Sequence, residues 1–332
     1  MRKNTILLTG ANGQDGQLLS MRLKANNTII KISRCATLDI LSKEKGIYTY
    51  EIKKKIESVE FKHWLVSILK THKPTHVLHL ASSNLPYDKN NEYSKDILFE
   101  TNIIYTSQLL EAIAIVNKDI HVFLAGSSQQ IGCVTELDSL SDLEISQSPI
   151  NFYGWSKKIN FQQAECYRSY GLKICFGILF NHDSWARNSS YLLNRIADKV
   201  IKSKFSFQEQ VTTKQKVDFD FPENAFFDLS SAHDITQDII HIMNNQIVGN
   251  YYLASGHLTS IKEILEVFVD VACVEIFNNN LPLSEMRKLP SRIYAFPQYE
   301  KPIRHPGNRR KLDDIIKEIY LYNLKLTRDI PV

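Results

Sequence analysis

The chain of 332 residues carries 40 Lys and Arg against 36 Asp and Glu, a formal net charge of +4, with 43% hydrophobic and 23% charged residues. That supplies a full core for one large domain or two smaller ones, while the positive balance is too slight and too scattered for a nucleic-acid footprint; a small anionic ligand suits it better. Cys35, Cys133, Cys166, Cys175 and Cys273 show no Cys-x-x-Cys spacing and no His cluster, so neither a disulfide framework nor a zinc or other metal site is expected, and a reducing cytoplasm is. No cleavable segment precedes the first apolar strand and no apolar run approaches the ~18 residues that span a bilayer, so no membrane partner is expected.

In chain order, Thr5 to Thr9 is a short apolar run ended by Gly10, and Leu18, Leu19, Met21 and Leu23 follow at helical spacing. This predicts a strand, a glycine turn and a helix. Further apolar strands are predicted at 28–32, 76–81, 121–126 and 173–180, with helical patterns between most of them. The lysine-rich stretch 46–60 leaves the third strand open between 48–52 and 56–59. A helix over 96–116 carries more apolar residues than one buried stripe needs, so it packs on both the sheet and a partner or is buried wholly within the chain. After Asn181 the alternation breaks. A helix is predicted at 191–201, then a polar, aromatic-rich substrate-covering insertion over 203–227, a helix at 232–243, a strand at 250–254, and helices at 260–273 and 310–319.

Strands alternating with helices predict an α/β fold, a Rossmann-type doubly wound parallel sheet with a ligand crevice at the strand carboxyl ends. Residues 1–182, completed by about 228–256, form the dinucleotide-binding domain of this reading, and 183–227 with 257–332 a smaller, discontinuous C-terminal substrate domain. Gly10, Ala81, Ser127 and Asn181 fall at predicted strand ends.

Chemistry enters through two clusters. Gly10, Gly13 and Gly16 are spaced Gly-x-x-Gly-x-x-Gly at the end of the first strand, where a backbone free of Cβ atoms lets a pyrophosphate approach the following helix start. Beyond the second strand stands Lys31-Ile-Ser33-Arg34. An Arg in place of the usual ribose-binding acid favours a 2'-phosphate, hence NADP over NAD, although NAD stays possible. Tyr153 and Lys157, four residues apart, share a helix face some twenty-odd residues after Ser127-Ser128. A Lys ammonium at about 4 Å contributes on the order of 4 kcal/mol toward a phenolate, the scale needed to bring a Tyr toward neutrality. Ser127 would hydrogen-bond the substrate hydroxyl.

Several segments together resemble the extended short-chain dehydrogenase/reductase (NAD-dependent epimerase/dehydratase) family, and within it the GDP-mannose 4,6-dehydratase branch. They are Thr9-Gly-Ala-Asn-Gly-Gln-Asp-Gly16, Gly177-Ile-Leu-Phe-Asn-His-Asp-Ser184, Phe227-Asp228 through Ala232-His-Asp234, and Tyr252-Leu-Ala-Ser-Gly256. The resemblance implies a homodimer or homotetramer acting on a nucleotide sugar, a GDP-linked hexose. It gives Ser127 the hydrogen bond to the C4 hydroxyl, Tyr153 the role of base and Lys157 that of its partner. Asn12, Gln14, Asp15, Leu80, Ala81, Ser82, Leu179, Asn181 and His182 would join the three glycines and Arg34 around the cofactor. Ser83, Ser128, Asn181, Arg187 and Arg195 would meet the substrate, the two arginines being equally readable as solvated helix charges.

One departure bears on the reaction. Where the family has a Glu that removes the C5 proton, this chain has Gln129. A carboxamide exchanges no proton near neutrality, and general acid/base catalysis contributes typically about 10² to 10⁴-fold. Asp88 and Asp142 are the candidate substitutes. The expectations are therefore dehydratase-like oxidation at C4, a 4-epimerase or 4-keto reductase in which elimination is lost, or a non-catalytic NADP-binding sensor or scaffold.

Overall fold

Strands that are apolar on both faces need covering on both sides, which a parallel sheet flanked by helices provides. The chain was studied as a computed structural model that describes residues 4–33, 47–51, 58–84, 94–131, 133–134, 149, 151–205, 216–222, 224–288, 291–294, 304 and 306–328. Its strands are Thr5–Thr9 (β1), Thr28–Ser33 (β2), Ile47–Glu51 (β3), His76–His79 (β4), His121–Ala125 (β5), Cys133–Val134 (β6), Lys173–Leu179 (β7), Asn181–Asp183 (β8), Lys216–Phe219 (β9), Asn224–Ser231 (β10), Gly249–Leu253 (β11), Leu258–Ser260 (β12), Glu275–Asn278 (β13), Leu281–Pro282 (β14) and Ser291–Tyr294 (β15). The helices are Gln14–Leu23 (α1), Ser58–His72 (α2), Ser94–Phe99 (α3), Tyr105–Val116 (α4), Phe152–Ser169 (α5), Leu192–Phe205 (α6), Ala232–Asn244 (α7), Ile261–Ala272 (α8) and Leu312–Arg328 (α9).

Seven parallel strands make the central sheet in the order β11-β7-β5-β4-β1-β2-β3. The order reverses beside β1, so the loops leaving β1 and β4 diverge to opposite faces and open a crevice. The expected Rossmann-type doubly wound sheet is the fold observed. Leu65, Leu110 and Ile174 pack on one face and Leu19, Ile239 and Leu253 on the other. A second core, around Leu193, Ile196, Phe268 and Ile316, gathers α6, α8 and α9 with β9, β10 and β13.

Three local expectations change. The third strand is 47–51, because Val59 already belongs to α2. The helix expected over 96–116 is interrupted by a π-turn at Glu100–Ile104, which seats the polar residues Thr101 and Asn102 in the interior while Phe99 and Ile115 remain exposed. The stretch read as a covering insertion contains the end of α6, β9 and the start of β10, whose inward residues Val217, Phe219, Ala225 and Phe227 belong to the second core. Residues 206–215 lie outside the described segments. The last helix runs on to Arg328 because its apolar spacing continues through Tyr320 and Leu324. Among the described residues no helix is long and apolar enough to cross a membrane and no group of three or more His, Cys, Asp or Glu is disposed to hold a metal.

The junction that positions the site is the start of α5. Asn151 caps it by accepting a hydrogen bond from the Gly154 amide at 2.9 Å. A Cβ on Gly154 would stand 2.1 Å from the Gln129 carbonyl oxygen, so the helix seats on the 3₁₀ turn Ser128–Gln130 only because that atom is missing. Gly154→Ala should lower the unfolding free energy by about 1–3 kcal/mol, the usual cost of overpacking, measured by urea denaturation.

Candidate active site

The loops after β1, β4, β5 and β7 line one cleft of about 520 Å³. At one end is the glycine turn. Gly10 has φ +70°, open to glycine at little cost, and a Cβ there would lie 2.7 Å from the Ala81 amide nitrogen. A Cβ on Gly16 would lie 2.3 Å from the Gly10 carbonyl oxygen. The turn thus closes tightly on itself, and Gly13 precedes α1 as a cap without a side chain, so the first-turn amides and dipole are available to an anion. Next to it a cavity of about 220 Å³ is lined by Ile32, Ser33, Phe61, Leu65, Ala81 and Leu109, a setting suited to an adenosine. These features fit a dinucleotide.

Two polar residues of the glycine turn, Gln14 and Asp15, face the β7–β8 junction. Gln14 donates to the His182 carbonyl oxygen at 3.2 Å and accepts from the Ser184 hydroxyl at 3.0 Å. Asp15 pairs with His182 Nε2 at 3.0 Å, while His182 Nδ1 meets the Phe180 carbonyl at 2.6 Å. Burial works against the Asp15 charge, but His182, with Arg187 and Gln14, outweighs it and holds the carboxyl below its ordinary value. Burial likewise opposes the His182 charge, and Asp15 raises it above the usual imidazole value.

At the other end stand Ser127, Ser128, Gln129, Tyr153 and Lys157. Lys157 is 2% exposed, donates to the Ala125 carbonyl at 2.8 Å, and lies 5.7 Å from the centre of the Tyr153 ring. Burial pulls its ammonium down to about 7. Burial also pushes the Tyr153 phenol up, against the lowering influence of the neighbouring Ser82 and Ser127 hydroxyls and of Arg187. The expected spacing is thus realised, but the balance differs from the sequence argument: desolvation weighs on both partners, and hydroxyl donors do the lowering at the phenol. Gln129 accepts from Asn151 Nδ2 at 2.9 Å, an amide-to-amide contact with no titrating group.

Of the other residues singled out, Asn12, Leu80, Ser82, Leu179 and Asn181 line the cleft, and Ala81 lines the adjoining cavity. Arg187 lines it too, its guanidinium 3.8 Å over the Tyr191 ring and its Nε 3.8 Å from Asp183, whose carboxyl burial pushes up to about 6. Ser83 and Arg195 are not brought to the cleft. Ser83 is buried against Asn102, since the chain turns its next side chain, Asn84, into the opening instead; Arg195 is exposed on the outer face of α6. Arg34, Asp88 and Asp142 lie outside the described residues. Sequence reasoning passed over Asn84, Tyr191 and Asn102. Only Asn102 left a signal, as a polar residue in an otherwise apolar helical pattern.

Because the folded protein holds Lys157 at about 7 against 10.5 for a free side chain, the unfolded chain binds more protons between those values and stability rises with pH across them. Lys157→Met should therefore be the more stable protein at pH 7, by on the order of 3 kcal/mol at about 1.36 per pH unit less one lost hydrogen bond, and that advantage should fade as the pH approaches 10. Thermal melts of both proteins across this range measure it.

The model of the family described as GDP-mannose 4,6 dehydratase matches residues 7–312. GDP-mannose 4,6 dehydratase 2 of Caenorhabditis elegans is 24% identical over 372 aligned positions, covering 99% of this chain and 91% of that protein. Among solved structures, the dTDP-glucose 4,6-dehydratase of Bacillus anthracis in complex with NAD superposes with a TM-score of 0.72 at 14% identity, over 98% of each chain. RMD of Pseudomonas aeruginosa complexed with NADPH does so with a TM-score of 0.69 at 17% identity, again over 98% of each. A glycine turn, a Ser-Tyr-Lys cluster and a family match spanning nearly the whole sequence thus coincide, and the chain belongs to the GDP-mannose 4,6 dehydratase family.

Proposed function

We propose that this protein is an NADP-dependent enzyme that oxidises a GDP-linked hexose at C4, in the manner of a GDP-mannose 4,6-dehydratase. The observation that carries the reading is the single cleft shared by the glycine turn and by Ser127, Tyr153 and Lys157. A nicotinamide cofactor fits the turn on geometric grounds: Gly10, Gly13 and Gly16 with the uncapped start of α1 would hold its pyrophosphate, and Arg34 favours the 2'-phosphate form. When bound, the cofactor supplies hydride acceptance and return, together with a positive charge near the phenol.

The chain's own residues then do the proton work. Ser127 donates a hydrogen bond to the C4 hydroxyl, Tyr153 takes its proton, and Lys157 offsets the resulting phenolate charge from behind the ring. Arg187 and Asn181 face the phosphates of the nucleotide. Residence in a reducing cytoplasm and assembly as a homodimer or homotetramer complete the reading, supported by the free cysteines Cys166, Cys175 and Cys273 and by the exposed Phe99, Phe152 and Trp155.

A second reading is favoured by Gln129. Its carboxamide is bonded to Asn151, and the one carboxylate among the described residues lining the cleft, Asp15, is engaged by His182 at the phosphate end. Without a carboxylate near C5, hydride returns to C4, and the enzyme is a 4-epimerase or a 4-keto reductase.

Incubating the protein with GDP-mannose and NADP, resolving the nucleotide sugars by chromatography and weighing each one separates the readings. A product lighter by one water supports dehydration; a 4-keto sugar that is reduced, or an epimer of unchanged mass, supports the second. In either case Tyr153→Phe should abolish hydride exchange, whereas a non-catalytic binder would be unaffected by it. Gln129→Glu should raise any elimination by about 10² to 10⁴-fold.

A further inference from the structure

The loop after β4 and the π-turn between α3 and α4 carry polar groups that the C4 oxidation does not use. Asn102, at the centre of the π-turn, is fully buried, and its side chain is satisfied on every side: Oδ1 accepts from the Ser83 amide at 2.7 Å and the Ser82 hydroxyl at 3.0 Å, and Nδ2 donates to the Ser83 carbonyl at 3.0 Å and the Ser156 hydroxyl at 2.9 Å. Ser156 in turn donates to the Tyr153 carbonyl at 2.7 Å. One amide therefore ties the Ser82-Ser83 backbone to the first turn of α5, and π-turns recur where such functional side chains must be aimed inward. Of the residues so tied, Ser82 and Tyr153 both face the cleft, the Ser82 hydroxyl near enough to the phenol to lower it.

We propose that Ser82 is a second catalytic hydroxyl, held by Asn102 so that it donates to the Tyr153 oxygen once that oxygen has become a phenolate; this rests on reading Tyr153 as the base. The exchange is a rotation of one proton. In the neutral site the Ser82 hydrogen points to Asn102 Oδ1. When the phenol loses its proton the hydrogen turns to the phenolate, and Asn102 Oδ1 keeps its shorter bond to the Ser83 amide, so no buried acceptor is left bare. No other group is rearranged. Ser82 then donates to the phenolate while the single Ser127 hydrogen is left to serve the substrate. A donor to the charged form favours that form. Asn102 is the positioning residue, acting through Ser82.

The other groups facing Tyr153 are Lys157 from α5, with His79 of β4 close behind it, and Arg187 and Tyr191 from the loop before α6. None of them is touched by a change at Ser82. The test is a spectrophotometric titration of phenolate in the full-length protein, with the signal of Tyr153→Phe subtracted to isolate one tyrosine among 15. Ser82→Ala should move the midpoint up by about one pH unit, so that the phenolate signal at any lower pH falls by up to about tenfold. Ser82→Thr, which restores a hydroxyl, should return both toward wild type. The rate of any turnover should fall in Ser82→Ala at neutral pH and converge with wild type at alkaline pH. A phenolate signal unchanged in Ser82→Ala, or a loss that Thr does not restore, overturns the proposal. Because the titration needs no substrate, a displaced midpoint without turnover of any nucleotide sugar would uphold Ser82 while sinking the proposed function.

Discussion

The buried ammonium of Lys157 and the part-buried phenol of Tyr153, at the carboxyl edge of the sheet, set the conditions for everything around them. Burial disfavours the charged form of each: it pulls the lysine toward neutrality and pushes the phenol away from ionisation. A site in that condition is sensitive to every dipole brought near it, because the same scarcity of water that penalises a charge strengthens each interaction that offsets it. The Ala125 carbonyl holds the ammonium, and the neighbouring Ser82 and Ser127 hydroxyls act to lower the phenol. The pair is therefore less a fixed base than one poised for whatever positive charge and hydrogen-bond donors the cleft assembles.

Such a pair needs rigid supports, and they come from several elements at once. Gly154 lets α5 seat on the Ser128–Gln130 turn, which fixes how far Tyr153 stands from Ser127. The π-turn places Asn102 where it joins the β4 loop to α5. At the phosphate end the glycine turn is bound to the second core through a run of polar side chains. Gln14 meets Ser184, the Ser184 carbonyl accepts from Asn194, and Asn194 accepts from Asn323 of α9. Buried polar networks that are satisfied throughout rigidify the elements they join. The glycine turn and the second core thereby share one framework.

Gln129 separates what the turn requires from what a proton transfer requires. The carboxamide occupies its place in the turn and even helps hold the cap of α5 through Asn151. The scaffold is thus kept while the proton-transfer capacity of that position is gone. Fold and binding depend on shape and hydrogen bonding, which Gln supplies, whereas elimination depends on a titrating group, which it does not.

How much was legible beforehand follows the range of the physics involved. Strands β1, β4, β5 and β7, the glycine turn, the Tyr153–Lys157 spacing and the Gln129 substitution were visible in the sequence, because apolar runs, Cβ-free turns and i,i+4 geometry are local. The extent of α9 and the strands within 203–227 were misjudged where the apolar residues serve a second core assembled from distant segments. Other decisions belonged to the tertiary structure alone. It turned Asn84 rather than Ser83 into the cleft, left Arg195 on the outside, broke a continuous helix with a π-turn around Asn102, and set desolvation above the lysine charge in governing Tyr153. Each depends on which side chains from remote parts of the chain meet and on how much water they exclude. Neither quantity is encoded in the spacing of residues along one segment; both emerge only when the sheet and its loops have closed around them.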